Sequence, residues 1–556
     1  MSSITYAVDA VPPARITWLN ALQHISLSAV TLIFPRIVAE AAGADAETIT
    51  RYVSLAMVAM GIGTLIQAYG RRGIGSGHLL LGHGTILYVP FAVAAAQSGG
   101  LGAVAGLTIV AGLTEMALSR CIRQLRAWIS PEIIGVVITL LGIMLGVLGL
   151  KLMIGAGPGG AAGPLEMAAS GIALATIIGV AIWGRLALRS LAVLVGVATG
   201  CAAYVGLELS LGDIAAAASD VAFTLPAWPL FVPSFPPAFL PGFLIGALAC
   251  FIRAIADLTA CQQLADPNWK SPDFRRIGAG TLADGMGTVV AGIAGVLGTN
   301  TYSGSVGLAA ANGVIARRVG VAAGIGWIVL GLVPGAASLL YAIPAGILGA
   351  ACFYSATFTI KMGIGMLAQR LVDARRTIII GAAIVISVLT PDLRAYVDLP
   401  SLGQQVMNSP LAVAMIAALA LNAVLRLGIS KDARLRWRMA EGPGALREFA
   451  EAQGRAWAAR VDLIRRVGNF LEEFALLAPR VVEPGAEVAI ELRYDETGMR
   501  IELAWQGEAL DLQRTINAES DDGGSLPIVL MRHWAEELNA DSDDTRQTLV
   551  AYVDDR

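Results

Sequence analysis

Between Thr17 and Leu427 the chain is a succession of apolar runs separated by short polar or charged loops. Each run has roughly the 17 to 25 residues that a helix needs to cross a bilayer. They lie near 17–40, 51–69, 76–95, 101–118, 132–155, 166–184, 189–212, 238–262, 277–294, 301–316, 318–336, 337–358, 374–390 and 410–427, which predicts about fourteen membrane spans. Two runs are interrupted. The third begins Gly73-Ile-Gly-Ser-Gly-His-Leu-Leu-Leu-Gly-His-Gly-Thr85, and the tenth carries Asn300-Thr-Tyr-Ser-Gly-Ser-Val-Gly307 ahead of apolar Leu308 to Ala311. A broken helix at membrane depth is tolerated only where its backbone lines a cavity or is buried in protein. The breaks stand third in the first seven runs and third in the second seven. An odd number of spans per half reverses its orientation, so matched breaks predict an inverted repeat with a binding site where they meet. Close packing through small residues also uses glycine, but it does not explain the shared register.

Composition sharpens this picture. Hydrophobic residues make up 56% of the chain and charged residues 15%, with a mean hydropathy of +0.68, against about 25% charged in soluble domains. About half of all charged residues follow Leu427, where the apolar runs stop. The domain boundaries expected are therefore 1–428 for the membrane part, 429–443 for a basic linker and 444–556 for a small soluble domain. With Arg15 cytoplasmic, alternation puts Arg71-Arg72, Arg120 to Arg126, Arg185 to Arg189, Lys270 to Arg276, Arg317-Arg318, Lys361 to Arg376 and Arg426 to Arg438 on one side. The opposite side receives Glu40, Asp45, Glu47, Asp213 to Asp220 and Asp392 to Asp398. Basic loops remain inside, so both termini are expected in the cytoplasm and the protein in the cell's inner membrane. Arg15 runs straight into a full-length apolar segment, so the first helix is expected to be retained, with no cleaved leader. The five cysteines show no ligand or paired spacing, and no metal, cofactor, nucleic-acid partner or enzymatic activity is expected.

The eighth run contains Phe251-Ile-Arg-Ala-Ile-Ala-Asp257. An arginine and an aspartate four apart share one helical face. One reading is a self-neutralising intramembrane ion pair. The other is that Arg253 presents its planar fork to an anionic solute while Asp257 orients it and serves as a protonatable coupling group. His24 and His83 also lie in spans, His83 beside the third-run break and His78 nearer the cytoplasmic mouth.

Several stretches resemble the nucleobase/ascorbate transporter family, which includes bacterial uracil and xanthine permeases. They are Gln23-His24, Gly82-His-Gly-Thr85, Ser130-Pro-Glu-Ile-Ile-Gly135, Ala254-Ile-Ala-Asp-Leu-Thr-Ala260 and Asn300 to Gly307. The resemblance implies two inverted seven-span repeats, with a core of spans 1–4 and 8–11, a gate of spans 5–7 and 12–14, short strands in spans 3 and 10, and a homodimer. Carried over by position, the substrate site is Gln23, His83, Gly84, Thr85, Arg253, Asp257, Tyr302, Ser303, Gly304 and Ser305, with His24 bonding between spans. The family has a glutamate where this chain has Arg253, and a glutamate or glutamine followed by asparagine near Gly304-Ser305. Arginine is donor-only and keeps its charge at any working pH, so an anionic planar solute, with H+ or Na+ as coupling ion, is expected.

Beyond the basic strip, 444–478 reads as one or two amphipathic helices through Phe449, Trp457, Val461, Ile464, Val467 and Leu471. Val488 to Tyr494 and Met499 to Trp505 alternate as a hairpin, followed by a helix near Ser525 to Leu538 and a strand from Gln547 to Val553. This order, with Gly523-Gly-Ser-Leu-Pro527 opening a helix, resembles a degenerate ATP-binding domain of the histidine-kinase/anti-sigma-factor type. Glu472 and Glu473 fall at its first motif, but Leu476 and Leu477 replace the magnesium-binding asparagine. A regulatory or dimerisation module that binds no ATP is expected. The whole chain therefore reads as an all-α polytopic permease of a small nucleobase-like solute, embedded in a lipid bilayer, with a small α/β sandwich at its C-terminus. Two alternatives stand beside it: a solute sensor reporting through that sandwich, and an inorganic- or organic-anion carrier on the same fold.

Overall fold

The computed structural model describes residues 4–122, 131–156, 162–184, 189, 191–208, 231–266, 269, 272–368, 374–394, 396, 401–425, 431–457, 459–495, 498–510, 512, 525–543 and 546–554. The loops expected around Arg126, Arg185, Lys270 and 213–220, together with Ser130, Asp398, Arg426 and Gly523-Gly524, lie outside these residues. Residues 1–367 and 380–419 form one compact unit, and 368–379 with 420–556 form another.

Among the described residues nine helices are long and apolar enough to cross a membrane, and shorter or broken elements complete the fourteen spans. Span 1 is Ala14–Ala41, with a 3₁₀ turn at Val30–Leu32, and span 2 is Ala46–Tyr69. Span 3 is strand β1, Gly82–Gly84, followed by the first part of the helix Val89–Arg120. That helix is broken at Gly100, whose φ of 69° lies in the left-handed region, so 89–99 completes span 3 and 101–120 is span 4. Spans 5 to 7 are Pro131–Met153, Pro164–Trp183 and Ala192–Glu208. Spans 8 and 9 are Leu240–Ala265 and Phe274–Ala294, and span 10 is strand β2, Thr299–Thr301, then Ser303–Asn312. Spans 11 to 14 are Arg317–Gly331, Ala345–Leu367, Ala374–Leu393, and Ser401–Met407 with Pro410–Leu425. The twelfth span thus lies C-terminal to the 337–358 expected. Pro334 and Pro344 cut out a separate short helix, Pro334–Ala342, because proline cannot continue the helix that precedes it.

The packing repeats with the chain. Span 2 lies along span 11 and span 4 along span 9, and moving each span seven places turns the first pair into the second. Spans 5 and 12 pair with each other, as do β1 and β2. Each crossing puts glycine against glycine. A Cβ on Gly61 would stand 2.6 Å from the Gly324 carbonyl oxygen, one on Gly112 2.7 Å from that of Gly285, and one on Gly149 2.6 Å from that of Gly349. Such approach lets backbones touch where apolar lipid supplies no hydrophobic drive for helix association. Spans 1–4 intermesh with 8–11, and 5–7 with 12, which is the core and gate division expected.

The second unit contains a five-stranded antiparallel sheet, in the order β3-β4-β5-β7-β6. The strands are Lys431–Trp437, Val488–Tyr494, Gly498–Trp505, Glu537–Asp543 and Arg546–Asp554 for β3 to β7. Helices Gly442–Ala456, Val461–Val481 and Ser525–Trp534 pack with it around Trp437, Phe470, Phe474, Trp505 and Met531. The basic strip expected as a linker is the edge strand β3. Ala433, Leu435 and Trp437 alternate inward, while Arg434 pairs with Glu491 at 3.0 Å and Arg438 with Glu487. The Arg434 hydrogen bond holds the Glu491 carboxyl below the usual glutamate range. Charged side chains of this kind also deter pairing of the edge with other strands. Val461, expected on the apolar face, is exposed because it opens its helix, and the strand Glu537–Asp543 begins where a helix was expected to continue.

Substitution of Gly149 by leucine should lower the unfolding temperature of the purified protein, since overpacking costs about 1–3 kcal/mol or more. Gly365→Leu, on the same helix pair but with no neighbour within 4 Å of its Cβ position, should leave that temperature unchanged.

Candidate substrate site

The site is built on the two broken spans. β1 and β2 run antiparallel in the register Gly82↔Thr301, His83↔Asn300 and Gly84↔Thr299. Two strands cannot satisfy their own outer edges, and neighbouring helices supply the partners. Thr64 of span 2 accepts from the Gly82 N–H at 3.0 Å, and Thr288 of span 9 donates to the Thr299 carbonyl at 2.7 Å. Gly84 lies against the 3₁₀ turn of span 1, where a Cβ would stand 3.3 Å from Pro35 and 3.4 Å from the Thr31 carbonyl. Beyond each strand a half-helix begins, at Val89 and at Ser303, and the N-terminal, positive end of its dipole is the end next to the strand. Thr85 accepts from the Leu87 N–H at 3.3 Å and steadies the turn into the first of them.

Span 8 carries Arg253 and Asp257 to this crossing, and both are buried. Asp257 accepts from the Thr301 hydroxyl and from the Ser303 hydroxyl, each at 2.7 Å. The Arg253 Nε donates to Ser303 Oγ at 3.3 Å and stands 3.8 Å from the Asp257 carboxylate. Among the described residues no acceptor engages the two terminal nitrogens of the guanidinium. Asp257 therefore accepts one hydroxyl on each oxygen and stands at the Nε edge of Arg253, leaving the two terminal nitrogens unengaged.

The structure brings Arg253, Asp257, Tyr302, Ser303 and His83 into one cluster, but His83 is committed to the strands. Its Nδ1 faces the Gly84 carbonyl at 2.5 Å and its Nε2 that of Thr301 at 3.1 Å, while the ring packs edge-on to Tyr302 with centroids 4.7 Å apart. The Tyr302 hydroxyl donates to the Leu27 carbonyl at 3.2 Å, and its ring lies within 2.9 Å of where a Gly304 Cβ would be. Ser305 meets His24 Nδ1 at 3.1 Å, tying span 1 to the half-helix of span 10 as expected of an interspan histidine. Gln23 is elsewhere: it accepts from Asn312 at 2.7 Å, at the far end of that half-helix, roughly 13 Å along its axis from Ser303. Thr301, Thr64 and Thr288 were not singled out from the sequence, because a hydroxyl in an apolar run gives no signal of its partner. Glu115, buried on span 4, is a charge in an apolar run and was open to notice on that ground alone. Among the described residues no group of three or more histidine, cysteine or acidic side chains could hold a metal.

A model described as the Permease family, of the xanthine/uracil type, matches residues 15–395. Xanthine permease XanQ of Escherichia coli is 24% identical over 448 residues, spanning 78% of this chain and 96% of its own. Uric acid permease PucJ of Bacillus subtilis is 25% identical over 357 residues, spanning 62% of this chain and 78% of its own. Among solved structures, the transmembrane domain of the cyanobacterial bicarbonate transporter BicA matches 75% of this chain and all of its own, with 17% identity and a TM-score of 0.48.

Each hydroxyl on Asp257 is expected to matter for stability. Removing one leaves a buried carboxylate short of a donor, at a cost of about 1–3 kcal/mol. Thr301→Val and Ser303→Ala should each lower the unfolding temperature, and the double variant should fall further than either; equal stability of all four proteins would contradict the assignment.

Proposed function

The chain belongs to the Permease family of the xanthine/uracil type, the nucleobase/ascorbate transporters, and on that premise we propose that it is a secondary active permease for an anionic, planar, nucleobase-like solute such as urate or xanthine. The observation that carries this reading is the open fork of Arg253. A guanidinium buried at a strand crossing, gripped at Nε and unengaged at its two terminal nitrogens, offers a bidentate donor pair to a deprotonated heterocycle or a carboxylate. Two half-helices add the positive ends of their dipoles beside the same strands. Relatives named for xanthine and for uric acid are in keeping with such a solute.

In this reading Asp257 is a positioning residue, tied by the Thr301 and Ser303 hydroxyls and set beside Arg253. Spans 5–7 and 12–14 move against the core to expose the site alternately to either side. The N-terminus lies on the side of the Arg317-Arg318 loop: Tyr6 bridges to Val314, and Asp9 pairs with Arg317 at 3.1 Å. The positive-inside rule makes that side cytoplasmic. The C-terminal unit serves regulation or dimer formation rather than nucleotide hydrolysis, in keeping with Glu472, which is held by Arg447.

Binding of urate to the purified protein, read by thermal shift over a ligand series, tests the assignment. Arg253→Met should weaken urate binding about a hundredfold, matching the loss of roughly 3 kcal/mol from charged hydrogen bonds. Arg253→Lys should weaken it about tenfold, because a point charge lacks the fork. Urate affinity unchanged in Arg253→Met would overturn the proposal.

A further inference from the structure

We propose that Asn312 is a positioning residue for the solute site: from the far end of the span 10 half-helix it sets where Ser303 stands, and through Ser303 the grip on Arg253. The inference rests on the permease reading above and adds to it a residue roughly 13 Å along the helix axis from the solute end. The half-helix Ser303–Asn312 is short, and it ends at Gly313, whose φ of 66° lies in the left-handed region. No continuous helix beyond it fixes its position along its own axis. Span 1 does so instead. Asn20, Gln23, His24 and Leu27, at the i, i+3, i+4 and i+7 spacing of one helical face, run antiparallel along it. The Leu27 carbonyl takes the Tyr302 hydroxyl at 3.2 Å, and His24 Nδ1 meets Ser305 Oγ at 3.1 Å. At the other end the Asn312 side-chain amide donates to Gln23 Oε1 at 2.7 Å and to Asn20 Oδ1 at 3.1 Å.

Both partners on span 1 are prepared for this contact. Asn20 spends its own NH2 group on the Ile16 carbonyl at 2.9 Å, which leaves its oxygen to face Asn312. Asn20 and Gln23 are buried, so loss of their shared donor leaves two oxygens unsatisfied. The chain just past the half-helix is fastened too. The Gly313 carbonyl accepts from the Thr5 and Tyr6 N–H groups at 2.8 and 3.2 Å, the Ile315 N–H donates to the Tyr6 carbonyl at 2.9 Å, and Arg317 pairs with Asp9 at 3.1 Å. Residues 5–9 lead through Pro12 and Pro13 directly into span 1, so both fastenings tie the far end to that span. The near end has little tolerance. Ser303 Oγ donates to Asp257 at 2.7 Å and accepts from Arg253 Nε at 3.3 Å. The second bond is already at the long end of the usual range of about 2.7–3.2 Å. A slip of the half-helix by a few tenths of an ångström away from Arg253 removes it, and with it the hold that orients the guanidinium.

The test is a double-mutant cycle on full-length protein, with urate as probe and binding read by thermal shift over a ligand series. Asn312→Ala and Ser303→Ala should each weaken urate binding about tenfold, the order expected for a hydrogen bond to a charged group. The double variant should bind within about twofold of Ser303→Ala alone, because Asn312 acts only through Ser303. Distant residues with no shared partner give losses that multiply, so a loss of about a hundredfold in the double variant overturns the proposal. Unchanged affinity in Asn312→Ala overturns it as well. Gln23→Ala, which removes the 2.7 Å bond from the span 1 side, should follow the same pattern and stands in where Asn312→Ala does not fold. A second readout needs no solute. The Gly307 and Leu308 N–H groups bond back to the Ser303 and Gly304 carbonyls in the i→i−4 pattern, so their hydrogen exchange reports on the solute end of the half-helix. It should quicken about tenfold in Asn312→Ala. Exchange unchanged at those two amides makes Asn312 a local cap and sinks the positioning role. Should wild type bind no urate while exchange quickens as expected, the solute assignment falls and the positioning role stands.

Discussion

Everything in the membrane unit is arranged around unpaired backbone at bilayer depth. An extended segment there leaves N–H and C=O groups with no water to take them, and each unsatisfied group costs several kcal/mol. The chain meets this constraint by crossing two such segments, so that β1 and β2 satisfy each other's inner edges. The outer edges are closed by Thr64 and Thr288, which occupy corresponding spans of the two repeats. Glycines at the span 2–11 and 4–9 crossings bring those helices close around the strands. The repeat symmetry, the strand pair and the small-residue crossings are thus one solution to one problem. Two half-helices starting beside the crossing follow from it, and with them a local excess of positive dipole ends.

That excess sets the chemistry the site can accept. Helix N-termini favour anions, and a further cation among them would be repelled unless held. Arg253 is held by Asp257, whose own charge is spread over the Thr301 and Ser303 hydroxyls. Removing one partner of such a buried pair typically costs 3–5 kcal/mol, which explains why the aspartate is tied down from two directions. With that anchor in place the terminal nitrogens of the guanidinium are left without an acceptor among the described residues. A donor-only site of this kind selects solutes by what they can accept, so negative charge and planar acceptors matter more than ring N–H groups.

Much of this was legible in the sequence. Apolar runs of the right length gave the spans, and two glycine-rich interruptions in matched positions gave the repeat, because lipid imposes length and continuity on every helix that crosses it. Arg253 and Asp257 announced themselves as charges among apolar neighbours. What the sequence hid were relations set by tertiary contact. Nothing local says that His83 turns both nitrogens onto strand carbonyls, or that Gln23 goes to Asn312 at the far end of a half-helix. The twelfth span slid because its apolar run continues through Pro344, and hydropathy alone does not register a proline break. In the soluble part, the strip 431–437 carried a period-two pattern under its positive charges, and charge outweighed pattern in the reading.

An arginine at position 253 can take on only one of two tasks that a carboxylate could combine. A residue whose charge never changes can grip an anion but cannot carry a proton. A β-strand turns neighbouring residues to opposite faces. Asn300 and Thr301 occupy those two faces, one on Asp284 and the other on Asp257. The strand that solves the backbone problem is therefore also the part that ties span 8 to span 9.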